Sequence, residues 1–177
     1  MKSALVCAPL LIAAVTFALA ETKAGLTESA TIGGKKIAIV YSSPAVNNRA
    51  GKLFGKDGRI GQDETYPVWR AGANDATALH TDADLDLGGL NVPKGDYTLY
   101  VNIANPERWE LIVNKQTGQH GTEYDVKQDL GRVKMTMSKP AAMVEQLKYT
   151  ISSSGGNKGK LELAWENVDA SVNFTVK

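Results

Sequence analysis

Trp69, Arg70, Asn74 and Thr77 fall in one short segment that also carries Gly72. These are side chains suited to holding a small polar molecule. A guanidinium offers a planar fork of donors to a carboxylate or phosphate, a carboxamide both donates and accepts, and an indole face can stack on a sugar ring. The plainer alternative is that Trp69 packs in the core while Arg70 and Asn74 satisfy the backbone of a long loop. A second polar group runs through Asn114, Lys115, Gln119, His120, Tyr124, Asp125, Asp129 and Arg132. Here Asp125 or His120 would serve as acid or base, with Arg132 or Lys115 anchoring an anion. Its structural alternative is an Asx-type turn at Tyr124-Asp125 and a surface ion pair. If the two groups face each other across one end of the fold, Arg70 and Tyr124 share one cavity.

Other reactive patterns are weaker. Tyr41-Ser42-Ser43-Pro44 lacks the Gly-x-Ser-x-Gly elbow of a serine nucleophile and reads as a turn at a strand end. Asp82, Asp84 and Asp86 alternate with Ala83, Leu85 and Leu87, as in a strand with one wet face. A calcium loop would need a glycine and a terminal glutamate in register. The two histidines, His80 and His120, make no recognisable metal motif, so no metal and no cofactor are expected. Asn173-Phe174-Thr175 matches a glycosylation acceptor but lies inside an alternating segment.

The elements that position these groups follow from a hydrophobic period of two. It recurs at Ile37/Ile39/Tyr41, Ala83/Leu85/Leu87, Tyr97/Leu99/Val101/Ile103 and Trp109/Leu111/Val113. It returns at Val133/Met135/Met137, Leu147/Tyr149/Ile151, Leu161/Leu163/Trp165 and Val172/Phe174/Val176. Such runs are half-buried strands. Gly88-Gly89, Pro93 to Asp96, Asn105-Pro106 and the glycines between Ser152 and Lys160 punctuate them as turns. About nine short strands predict an all-β, antiparallel β-sandwich, jelly-roll or immunoglobulin-like. One turn of helix is allowed at residues 141–146. Residues 36–177 are expected to form a single domain, preceded by a loose arm or lead-in strand over residues 21–35.

Residues 1–20 combine Lys2, an apolar stretch from Leu10 to Leu19 and small residues at Ala18 and Ala20. That pattern is a cleavable signal peptide, which implies a periplasmic or secreted protein without a transmembrane segment. The single cysteine, Cys7, lies in that leader, so disulfides, thiolate metal sites and cysteine nucleophiles are not expected after cleavage. Twenty Lys and Arg face 19 Asp and Glu, interspersed along the chain. This balance excludes nucleic-acid binding by bulk electrostatics.

The segments YSSPAVNNRAGKLFG from Tyr41, VWRAGANDAT from Val68 and WELIVNKQTGQHGTEYD from Trp109, with LNVPKGDYTLYV and LELAWENVDASVNFTV, resemble the bacterial family known as domain of unknown function 2911. The likeness runs from about Ile37 to the C-terminus. It is looser at His120, where that family usually has an aromatic, and at Asn48 to Lys52, where its basic residues lie closer together. The resemblance implies the fold and an exported location, but no activity. Arg49, in the basic run, joins Trp69, Arg70, Asn74, Thr77, Asn114, His120, Tyr124 and Asp125 as candidate ligand-binding residues. The leading expectation is a noncatalytic module for a small polar ligand, a sugar or a carboxylate. Alternatives are a hydrolase or isomerase acting on a polar envelope-associated substrate, and a structural or interaction protein pairing through the edge of its C-terminal strand.

Overall fold

The computed structural model describes residues 25–177. The leader read at residues 1–20, with Cys7, lies outside the described residues. The strands in chain order are β1 (Leu26–Ile32), β2 (Lys35–Tyr41), β3 (Val68–Trp69), β4 (Thr77–Thr81), β5 (Leu85–Leu87), β6 (Leu90–Val92), β7 (Gly95–Asn102), β8 (Glu110–Asn114), β9 (Asp129–Lys134), β10 (Thr136–Ser138), β11 (Val144–Gly155), β12 (Lys158–Glu166) and β13 (Val168–Val176). Among the described residues the helical structure is limited to two 3-10 turns, Ile60–Gln62 and Val126–Gln128. No described helix is long and apolar enough to cross a membrane.

The strands form two antiparallel sheets. One has seven strands, in the order β1-β2-β4-β7-β8-β9 with β3 also on β7; the other has six, in the order β11-β12-β13-β5-β6 with β10 also on β13. Inward residues of both sheets, such as Ile39, Leu99, Val101 and Leu111 from the first and Tyr149, Leu163, Val172 and Phe174 from the second, share one buried cluster. Period-two burial produces this, because each strand sends alternate side chains to the same side. The alternating aspartates behave as expected: Ala83, Leu85 and Leu87 are buried, while Asp82, Asp84 and Asp86 stay at least partly exposed.

Of the two readings of residues 21–35, loose arm or lead-in strand, the strand holds for Leu26–Ile32, an edge strand in continuous register with β2 across the Gly33-Gly34 turn, whose φ angles of 58° and 75° suit glycine. Its composition hides it, because only Ile32 is buried. Three other expectations need adjusting. Residues 141–146 form no helical turn: Val144 already begins β11, and Gln146 bridges to Ala45. The alternation Val133/Met135/Met137 is not one strand, because the chain changes sheets at Met135, β9 pairing with β8 and β10 with β13. Finally, the C-terminal strand is no free edge; β13 is paired on both sides.

On the wet face of the first sheet, His80 on β4 and Asp96 on β7 are cross-strand partners, with the imidazole Nδ1 2.7 Å from Asp96 and Nε2 3.1 Å from Asp82. The bonds to Asp96 and then Asp82 raise the imidazole above its ordinary value, and the bond to His80 lowers the Asp82 carboxyl. A raised imidazole contributes stability that is complete below its unfolded value and is lost as pH rises through its folded value. The lowered carboxyl contributes above its unfolded value and loses that contribution in acid. His80→Gln should therefore lower the melting temperature most near pH ~5.5, where both contributions are present, and least near pH ~9. Parallel melting curves across pH check the prediction, and an equal loss at both ends would contradict it.

Candidate functional site

The segment from Ser42 to Pro67 has little regular structure, yet it is firmly held. Ser43 Oγ donates to the Leu147 carbonyl at 2.6 Å, Val46 N donates to the Glu145 carbonyl at 2.8 Å, and Asn47 N donates to the Glu145 carboxylate at 2.9 Å. Further along, Gly51 N donates to the buried carboxylate of Glu166, at the β12–β13 turn. Leu53 and Ile60 are buried. Phe54 then packs against all three tryptophans, with ring centroids 5.8 Å from Trp69, 5.0 Å from Trp109 and 5.7 Å from Trp165. Trp69 and Trp165, one from each sheet, stack at 5.8 Å and 18°. Aromatic pairs at such distances add about 0.5–1.5 kcal/mol each beyond the area they bury.

A second loop, residues 70–76, leaves the sheet between β3 and β4, both of which pair with β7. Ala71 (φ 51°) and Asn74 (φ 60°) adopt the left-handed conformation. For alanine this conformation is costly. Its geometry is fixed by two hydroxyls: Thr77 Oγ1 and Tyr149 OH each donate to the Ala71 carbonyl at 3.1 Å. Thr77 is therefore a buried support of the loop. A third loop, residues 115–128, docks beside it, with Gly121 N donating to the Asn74 carbonyl at 2.9 Å and Asp75 bridged to His120.

Between the first two loops lies a cleft of about 190 Å³. Arg49, Arg59 and Arg70 line it together with Asp63, Asn74 and Trp165. Arg49 is oriented by its own backbone, Nε donating to the Val46 carbonyl and Nη2 to the Ala45 carbonyl at 2.7 Å. Among the described residues no carboxylate lies within ion-pair distance of it. Arg70 donates to Asp63 at 2.5 Å and to the Asn74 carbonyl at 3.3 Å. Arg59, with its side chain 57% exposed, reaches Asp63 only at 3.7 Å. Three guanidiniums thus face one carboxylate. The indole N–H of Trp165 is buried without a hydrogen-bond partner among the described residues. A site of this makeup favours an anion with several acceptor oxygens.

Of the candidates read from sequence, Arg49, Trp69, Arg70 and Asn74 line this cleft. Trp69 contributes as wall and core, being 2% exposed with its N–H on the Gly72 carbonyl, so it has no free face for a sugar ring. Asn114 is the last residue of β8, and His120, Tyr124 and Asp125 belong to the third loop. Asn114 is fully buried and bonds the Asp125 carbonyl and Asp129. Tyr124 donates to Asp129 at 2.7 Å and accepts from Arg132, and its burial, then Asp129, holds its phenol well above the ordinary value. Asp125 accepts from Lys127 N in an Asx turn, and His120 Nδ1 meets Thr122. The loops that carry Arg70 and Tyr124 touch, through Gly121 and Asn74, but Tyr124 is not among the residues lining the cleft around Arg70. Tyr124 instead packs against Tyr100 on the outer face of the first sheet. Sequence reasoning missed Arg59, Asp63 and Trp165. The available signal was Leu53 and Ile60, apolar residues in a polar, glycine-containing stretch, which mark an ordered loop.

The architecture and the loop-built cleft define a two-sheet, β-sandwich-like protein that carries its polar groups on connections at one end. The sequence profile of the family described as protein of unknown function (DUF2911) matches residues 24–174, and the chain belongs to that family. No curated protein and no solved structure matches the chain.

Two substitutions test how the cleft is built. A Cβ at Gly121 would lie 2.3 Å from Arg70 Cδ, 2.7 Å from Arg70 Cβ and 2.8 Å from the Asn74 carbonyl. Gly121→Ala should therefore force the second and third loops apart, lowering stability by about 1–3 kcal/mol in urea unfolding. A neutral result would contradict the close packing. Thr77→Val and Tyr149→Phe should each cost about 1 kcal/mol, and because each hydroxyl still satisfies the Ala71 carbonyl when the other is gone, the double variant should lose more than the sum. Strict additivity would contradict a shared acceptor.

Proposed function

We propose that this chain is an exported, noncatalytic binding module, periplasmic or secreted, that holds a small anionic ligand in the cleft between residues 42–67 and 70–76. The carrying observation is the set of three arginines around one carboxylate, with two of the guanidiniums already oriented by backbone carbonyls. Orientation in advance reduces the side-chain entropy lost on binding, so more of the charge-assisted hydrogen-bond energy remains as affinity. Of the two ligand classes read from the sequence, the buried Trp69 favours the carboxylate over a stacked neutral sugar. The leader pattern at residues 1–20 supports export.

Thermal unfolding at constant ionic strength with acetate, succinate and phosphate tests this reading, with Arg59→Ala as control. Arg59 is mostly exposed and weakly engaged, so its loss should leave the fold intact. A ligand at a hundred times its dissociation constant adds about 2.7 kcal/mol, visible as a rise in melting temperature. The expected result is a rise with at least one oxyanion that shrinks in the variant. No rise, or an equal rise in both proteins, would contradict the reading.

A further inference from the structure

A second cleft of about 390 Å³ meets the first at Arg49 and Arg59, which line both. Its chemistry differs. Beyond the two shared arginines it adds Lys52 and Asp57, whose charges balance, together with Gln62 and the half-buried ring of Phe54. A lone carboxylate or phosphate that fills the first cleft uses none of these groups. An ammonium donates, a carboxylate accepts and a carboxamide does both, which is the mixture that a set of hydroxyl groups requires. An aromatic ring beside such groups accommodates the C–H face of a saturated ring. The available space corresponds to about a dozen waters, enough for a polyhydroxylated body larger than the acid group itself.

We propose that the ligand is a hydroxylated acid, of the sugar-acid type. Its carboxylate sits among Arg49, Arg59 and Arg70, and its hydroxyl-bearing body lies over Phe54 against Lys52, Asp57 and Gln62. This rests on the anion-cleft reading and deepens it. The two clefts divide the work: the first supplies charge, and the second distinguishes a sugar acid from a simple acid. It is also compatible with the buried Trp69, since the aromatic ring lining the second cleft is the half-buried Phe54.

Isothermal titration of the protein with acetate, glucose and glucuronate tests the division, alongside the Asp57→Ala/Gln62→Ala double variant. Both residues are exposed, so the variant should fold, and its melting curve verifies this. Glucuronate should bind at least about tenfold more tightly than acetate, glucose should bind more weakly than either, and the double variant should bring glucuronate down to the acetate level without changing acetate. If acetate binds and glucuronate gains nothing, or if the variant weakens both alike, the hydroxylated-acid assignment fails while the anion cleft stands. If glucose binds as well as glucuronate, the charge assignment is wrong. Absence of binding by all three overturns both readings.

Discussion

The packing of Phe54 among the three tryptophans is the interaction on which the cleft depends. Trp69 comes from the first sheet, Trp109 immediately precedes β8 of that sheet, and Trp165 comes from the second sheet. The indoles therefore join the two layers at one end of the sandwich, and Phe54 fastens a long irregular loop onto that junction. A loop as long as residues 42–67 loses much conformational entropy on ordering, so it needs apolar anchorage as well as hydrogen bonds. Leu53, Phe54 and Ile60 supply the apolar part, and Glu145, Leu147 and Glu166 supply hydrogen-bond partners.

With that loop fixed, the charge arrangement follows. Arg49 and Arg59 come from the anchored loop and Arg70 from its neighbour, so no regular element carries more than a fraction of the site. Asp63 joins Arg70 and, more loosely, Arg59, which places like-charged guanidiniums near one another at a tolerable cost. The 115–128 loop acts as a buttress. Tyr124 is held by Asp129 and Arg132 of β9 and the Asp125 carbonyl by Asn114 of β8, while Gly121 lies directly against Arg70.

The fold was legible wherever alternation marks a buried face. Strands such as Tyr97/Leu99/Val101 and Leu161/Leu163/Trp165 announce themselves because their inward positions are all large and apolar. The first strand did not, since its partners are backbone groups and only Ile32 is buried. Nor did the sheet change at Met135, because alternation records which residues face inward and is silent about which sheet carries them. At the cleft, Arg49, Arg70 and Asn74 were recognisable by side-chain chemistry. Trp69 stayed open between core and stacking surface because an indole beside a loop looks the same in sequence whether it faces water or two other indoles, and the core reading is the one that holds. Arg59, Asp63 and Trp165 were missed because they meet Arg70 only through tertiary folding, across contacts that leave no local pattern.

Hydrogen exchange on Phe54→Ala tests the anchoring claim most directly. The amides of Val46, Arg59 and Ile60 are bonded within or from the long loop, to the carbonyls of Glu145, Lys52 and Leu53. If Phe54 holds the loop to the tryptophans, these amides should lose protection by at least about tenfold in the variant, while those of β7 and β12 keep theirs. Unchanged protection at Val46, Arg59 and Ile60 would contradict the account, because the loop, and with it the cleft, would be ordered without the aromatic anchor.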